Sequence, residues 1–336
     1  MHNLFLSCLL LFCSFSVFAQ DAEIKAYVAE GIELHDAGEY QAAVKVYEKG
    51  LALDKKSPLL HYEIAFSYLA MKNTDKAIFH AKKAAKNKSK HQAEAMMMLG
   101  NIYDQTGKTD KAVEIYAEAT EKYPEFALLH FNYGIALYNQ GRYGDAEQAF
   151  TESASLDYSH ASSHYYLGIL ADITGQKTKS LLALSFFLLL ENEGERAVNA
   201  VQKLQNFSST KIEQKGENTM EININLVADD NEFTATDLLL SLQSAKELAD
   251  EGESEKLTMQ EKLIRQTDEV LHFLAESKEK KSGLYHDLYL DLFEEIRTEG
   301  HLETFIYYIT MSNEASLKWL EEHPEETEKF GAFFEE

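Results

Sequence analysis

A ladder of small residues constrains this chain more than any other feature. Gly31, Ala65, Gly100, Gly134 and Gly168 follow one another at steps of 34 or 35 residues, and twelve positions after each stands a second small residue: Ala43, Ala77, Ala112, Ala146 and Ser180. A register of that kind marks one structural unit repeated five times. Within each unit the period is helical. Four residues after the second small position come Tyr47, Ala81, Tyr116, Phe150 and Leu184, and three after the first come Leu34, Tyr68, Tyr103, Leu137 and Ala171, each on the same helix face one turn on. Paired small positions let two antiparallel helices approach closely. Between the two helices stand Gly38, Gly107, Gly141 and Gly175, where glycine accepts the positive φ that ends the first helix; the second unit has Lys72-Asn73 there, and Asn73 is the expected substitute. Pro124 closes the third unit.

In its period, its ladder, its glycine turns and its one terminal proline, the stretch from about Ile24 to Gly194 resembles the tetratricopeptide repeat (TPR), although it has no tryptophan and its fifth unit carries Ser180 in place of alanine. The resemblance implies an α-solenoid whose first helices line a concave face. A solenoid needs a capping helix with a polar outer side, and "ERAVNAVQKLQNF" from Glu195 is read as one, with Val198, Val201 and Leu204 on one stripe. The groove implied by the resemblance is lined by Tyr62, Phe66, Leu69, Met97, Asn101, Leu128, Phe131, Ile135, Tyr138, Tyr165 and Ile169. TPR domains that grip chaperone C-termini clamp two carboxylates with Lys, Asn and Arg. Here Val28, Ile32, Glu63 and Glu94 occupy the relevant surface, so that clamp is absent. An apolar groove this long exceeds the ~600 Å² of contiguous apolar surface that soluble monomers expose, so either a partner segment or the chain's own C-terminal half is expected to cover it.

Lys and Arg total 32 against 56 for Asp and Glu, a formal charge of −24, which disfavours nucleic acid and anionic membrane surfaces as partners. Residues 195–336 hold 32 acids and 14 bases, so 18 of those 24 charges lie in the second half. At the other end, Leu4 to Ala19, "LFLSCLLLFCSFSVFA", is too short to span ~30 Å of hydrocarbon and reads as a signal peptide cut after Ala19, with an uncleaved anchor as the alternative. It contains both cysteines, Cys8 and Cys13. The expected location is therefore exported, periplasmic or secreted, in a bacterium, without disulfides or thiol chemistry. The apolar run "LLALSFFLLL", 181–190, stops at Glu191, short of a membrane span.

After a polar linker beginning at Ser208, alternation of Met220, Ile222, Ile224 and Leu226 predicts one short strand, which must pair with residues around 205–213, with a partner or with a second copy of the chain. Helices are expected thereafter: one following Thr236; one opened by a capping box, Thr258 to Glu261, and running toward Lys281; then Leu284–Arg297, His301–Thr310 and Glu314–Glu322. Tyr285, Tyr289, Leu292, Phe293 and Ile296 form one apolar face; Leu302, Phe305, Ile306 and Ile309 form another. Glu269 and His272 have the Glu-x-x-His spacing of di-iron bundles but lack the second pair such a centre requires, and His286, Asp287, Asp291 and Glu294 read as a solvated acidic face. No nucleophile elbow, phosphate loop or zinc-protease motif is present. Lys82, Lys83, Lys86, Lys88 and Lys90 complement the dipole at a helix C-terminus.

The chain thus reads as all-α: a TPR α-solenoid of about five repeats with its cap over 20–207, a linker and short strand over 208–235, and an acidic helical domain over 236–336. It is expected to be a non-enzymatic scaffold that binds a protein segment in the apolar groove without cofactor or metal. The alternative is an adaptor for a small-ligand or metal-dependent C-terminal domain.

Overall fold

The computed structural model describes residues 21–86, 88–206, 212–216, 219–222, 233–249, 257–276 and 281–335. The predicted leader, Leu4 to Ala19, lies outside them. Ten helices of the described chain follow the ladder in order: α1 (21–36), α2 (Tyr40–Leu53), α3 (Pro58–Ala70), α4 (Thr74–Lys86), α5 (Gln92–Gln105), α6 (Thr109–Lys122), α7 (Ala127–Asn139), α8 (Tyr143–Leu156), α9 (Ala161–Thr174) and α10 (Lys177–Leu190). Helix α11 (Gly194–Asn206) comes next. All ten ladder positions are buried. The reason is steric. A Cβ on Gly100 would meet the Tyr116 ring at 2.5 Å, and one on Gly168 would meet Leu184 at 2.5 Å. Where Ala65 replaces glycine, the facing position is Ala81 instead of a large side chain, and both are fully buried.

The five turns repeat to the residue. Glu39, Asn73, Lys108, Arg142 and Gln176 each donate a backbone N–H to the carbonyl five residues earlier, at Leu34, Tyr68, Tyr103, Leu137 and Ala171, over 2.8–3.0 Å. This is a Schellman-type helix end, and it requires a left-handed residue just before the donor. Gly107 (φ 71°) supplies it in the third unit, and in the second Lys72 (φ 57°) does, not Asn73. The ladder places Lys72 at the turn, while Asn73, one position on, caps α4 by accepting from Lys76 N at 3.3 Å.

A second recurring device went unread in the sequence. His61, His130 and His164, each four residues before a ladder position, point Nε2 at the carbonyls of Lys55, Pro124 and Tyr158, at 3.3, 2.8 and 3.0 Å. A carbonyl only accepts, so Nε2 carries the proton and Nδ1 is left as an acceptor. His61 Nδ1 accepts from His80 Nδ1–H at 3.0 Å.

Contacts divide the chain into two compact units, the first ending at Arg142 and the second beginning at Tyr143. The core of the first is the ladder with its large partners Tyr47, Leu60, Ile64, Leu99, Ile102 and Tyr116. In the second, α10 is the centre. Every residue from Leu181 to Leu188 is buried, because α10 is packed by α9, α11 and the C-terminal helices. A helix apolar on all sides is a core helix, and no described helix is long and apolar enough to cross a membrane.

The C-terminal helices are α12 (Thr234–Ala249), α13 (Met259–Glu276), a π-helical stretch (Tyr285–Leu290) continuing into α14 (Asp291–Thr298), α15 (Leu302–Ile309), α16 (Glu314–Glu322) and α17 (Pro324–Phe333). The capping box is reciprocal: Thr258 N donates to Glu261 Oε2 at 2.7 Å, and Glu261 N to Thr258 Oγ1 at 3.2 Å. Helix α17 is an addition to the expected set. Pro324 ends α16 as predicted, and proline is equally suited to the first turn of the next helix. On α11, Val198 is 43% exposed, contrary to expectation, and the buried stripe is Ala197, Val201 and Leu204. At 100° per residue those three lie within about 60° of one another, whereas Val198 and Leu204 diverge by about 120°.

The expected lone strand over Met220–Leu226 is overturned. The described chain is overwhelmingly helical, and its β structure is a small closed hairpin, β1 (Ile212–Gly216) antiparallel to β2 (Thr219–Ile222), with Ile212 opposite Ile222. The partner of the strand is thus an adjacent segment of the same chain, and no second copy or other protein is needed to pair it. Residues 223–226 lie outside the described set.

Candidate functional site

Because the ladder and its large partners are consumed in packing, the residues one helical turn aside on the first helices remain available at the surface. In the first compact unit Phe66 is 47% and Leu128 44% exposed, while Tyr62, Leu69, Met97, Asn101, Phe131, Ile135 and Tyr138 are half-buried. Tyr62, Leu69 and Met97 rest on the core with one side. Rings and polar groups link adjacent units: His35 of α1 stacks on Phe66 of α3, centroids 4.7 Å apart, and its Nδ1 lies 2.9 Å from Ser67 Oγ. The Tyr116 hydroxyl donates to Asn101 Oδ1, which fixes that amide. In the second unit Tyr165 and Ile169 are also half-buried, and Tyr165 donates to Asn199 Oδ1 of α11 at 3.2 Å with the Arg196 guanidinium 5.6 Å above its ring.

The electrostatics of this face are lopsided. Burial, and then the neighbouring Asp36, push the Glu63 carboxyl above its ordinary range. Burial, then Glu63 and Glu94, push up the Tyr62 phenol between them. Glu94 Oε2 is buried and has no hydrogen-bond partner. Four lysines of the same units lie near other rings: Lys76 sits 4.9 Å over Tyr68, Lys82 and Lys111 sit 5.7 and 5.8 Å from Tyr103, and Lys83 lies 5.7 Å from Phe79.

The other sequence candidates do not converge on a site. Glu269 pairs with Arg265 at 3.1 Å, and His272 lies 3.6 Å from Glu276, both on the exposed side of α13. Asp287 accepts from Gly283 N at 2.8 Å, and His286 stacks on Phe233. Among the described residues no group of three or more His, Cys, Asp or Glu is placed to hold a metal ion. A cavity of about 250 Å³ opens between α11 and α13, lined by Leu204, Leu257, Met259, Leu263 and Gln266.

Two polar contacts that the sequence did not disclose seat the C-terminal helices on the fifth repeat. The buried Tyr289 hydroxyl donates to His164 Nδ1 at 2.6 Å, with Phe186 packed against both rings. Asp237, at the start of α12, accepts from Thr178 N at 2.7 Å and so caps the N-terminus of α10 from another helix. Within the second unit, the C-terminal helices therefore engage α10 and His164.

Family models of the tetratricopeptide repeat match residues 31–72, 62–127, 97–157 and 134–185. Among curated proteins, the bovine BBSome complex member BBS4 is 29% identical over 120 residues, 36% of this chain and 23% of its own length. The Small glutamine-rich tetratricopeptide repeat-containing protein 2 of Mycosarcoma maydis is 31% identical over 108 residues, 32% of this chain and 30% of its own. The matched region thus spans less than a third of either relative. Among solved structures, YrrB, described as a TPR protein with an unusual peptide-binding site, superposes with a TM-score of 0.45 at 20% identity, covering 56% of this chain and 97% of that one.

Proposed function

This chain is a tetratricopeptide-repeat protein over residues 31–185, and from that premise we propose that it is a non-enzymatic scaffold of the cell envelope whose first-helix face receives a segment of another protein. Repeats of this kind serve protein interaction, and their stacked first helices offer a continuous surface without a catalytic centre. The observation that carries the reading is the row of half-exposed apolar side chains, Phe66, Met97, Leu128, Phe131, Ile135 and Tyr138, standing on a ladder whose own members are all buried. Apolar and aromatic anchors on a rigid helical frame are the residues that dominate binding energy in protein interfaces. The envelope location rests on the Leu4–Ala19 leader and the absence of cysteine after it.

The test is capture of a partner from envelope extracts by the chain lacking its first 19 residues, compared with a Phe131→Ala/Tyr138→Ala variant. Both side chains are half-exposed, so the fold should survive while capture drops at least tenfold. Undiminished capture would refute the groove. Recovery of the protein in the cytoplasmic fraction of its native host would refute the export assignment, and an uncleaved Leu4–Ala19 segment on envelope-located protein would favour the anchor over the cut leader.

A further inference from the structure

The cavity between α11 and α13 lies outside the scaffold reading, and its lining is chemically one-sided. Met259, Lys262, Leu263 and Gln266 stand at i, i+3, i+4 and i+7 on α13 and so share one face of that helix. Leu204 and Gln205, near the end of α11, line it from the other helix, and Leu257, just ahead of α13, adds a further apolar side chain. The volume is about 250 Å³. An apolar cavity of ~150 Å³ suffices to admit benzene, so this one has room for a body of about six to ten carbons.

Two polar groups set the sign of what belongs there. Gln266 is only 2% exposed, and its Nε2 has no hydrogen-bond partner among the described residues. Buried donors without an acceptor are rare in folded proteins. The terminal bond of a glutamine turns easily, so an amide in a cavity wall can aim its N–H groups at whatever fills the space. One turn earlier on the same face stands Lys262, half-buried and without an ion pair among the described residues. Both groups donate, and none of the described lining residues is acidic. That holds in a part of the chain, residues 195–336, where acids outnumber bases by 32 to 14 and an acid would be the commoner neighbour.

We infer that this cavity binds a small amphipathic carboxylate, a medium-chain fatty acid in class. Its alkyl body lies against Leu204, Leu257, Met259 and Leu263, and its carboxylate sits between Lys262 and Gln266. A carboxylate gives both donors an acceptor at once, and its bond to the ammonium is charge-assisted. An alcohol of the same chain leaves the lysine uncompensated, and an alkylammonium repels it. All of these residues belong to the second compact unit, so the inference does not depend on the groove reading, and either can fail without the other.

The test is isothermal titration calorimetry on the chain lacking its first 19 residues, with octanoate, 1-octanol and octylammonium at neutral pH. Octanoate should bind with a stoichiometry of one and about tenfold more tightly than octanol, with octylammonium the weakest of the three. Lys262→Met keeps the stem and removes the charge; Gln266→Leu keeps the approximate volume and removes the amide. Each should weaken octanoate about fivefold and leave octanol unchanged. Gln266→Leu removes an unpartnered donor, so it should melt no lower than the parent. If it fails to fold, Lys262→Met, at a half-exposed position, still decides the question. No octanoate binding to the parent, equal affinity for octanoate and octanol, or octanoate affinity unchanged in Lys262→Met would each overturn the inference. The Phe131→Ala/Tyr138→Ala protein should bind octanoate as the parent does, and loss of binding there would place the acid in the groove and overturn the cavity assignment.

Discussion

Replacing Gly100 by alanine puts the packing premise of the whole array to a test with an unambiguous sign. Helix propensity alone makes Gly→Ala stabilising by about 1 kcal/mol in a helix interior. The structure demands the opposite. The new methyl would lie 2.5 Å from Tyr116 Cε1 and 2.6 Å from Cζ, about 1 Å or more inside the ~3.5–4.0 Å separation of carbons in contact. The ring has nowhere to go, being 1% exposed and tethered through its hydroxyl to Asn101. Overpacking of a closed core costs about 1–3 kcal/mol, and a clash of this depth against a fixed ring belongs at the upper end. Set against the propensity gain, the net loss is about 2 kcal/mol. Urea titration followed by far-ultraviolet circular dichroism reads it as a lowered midpoint. Two controls isolate the cause. Adding Tyr116→Leu to Gly100→Ala should recover at least about 1 kcal/mol as a coupling energy. The Gly107→Ala change, at φ 71° with nothing within 4 Å of the new Cβ, should cost ~1–2 kcal/mol through backbone strain alone and show no such coupling. A Gly100→Ala protein more stable than the parent, or one that Tyr116→Leu fails to relieve, would refute the close approach of α5 and α6.

Acid should loosen the second unit. Burial pushes the His164 pKa down to about 4 from an ordinary value near 6.5, so the unfolded chain takes up the proton first; stability is complete above about pH 6.5 and declines as pH falls toward 4, by about 3 kcal/mol in all. A flat unfolding midpoint between pH 7 and 4.5 in the parent would contradict this, and His164→Gln should flatten the profile. Removal of the Asp237 carboxylate by Asp237→Ala should cost about 1–3 kcal/mol, because Thr178 N, buried at the start of α10, then has no acceptor. Asp237→Asn keeps an acceptor oxygen and should restore most of it; equal loss in both variants would show that the charge matters more than the bond.

The repeat half was legible because its information is local. Gly31, Ala65, Gly100, Gly134 and Gly168 announce a unit length, and the residues three, seven, twelve and sixteen places on occupy fixed angles around two helices whatever lies beyond them. Opposite Ala65 the large partner of the other units gives way to Ala81, and both are fully buried. Where that logic was applied one residue off, at Asn73 in place of Lys72, and to Val198 on α11, the error was one of angle, and the periodicity itself contained the remedy.

Tertiary structure alone decided what periodicity does not encode. A sequence shows that α10 is apolar all round; it does not show whether lipid, a partner or distant helices surround it, and here the answer is α9, α11 and the C-terminal helices. His164 and Tyr289 are 125 residues apart, and neither is marked as the other's partner until folding brings them within 2.6 Å. The same holds for Asp237 at the N-terminus of α10, for β1 closing on β2, and for the carboxylate of Glu94 left without a donor. Helical period fixes which way a side chain points. Which distant atom it meets is set by long-range packing, and that choice is written in the fold.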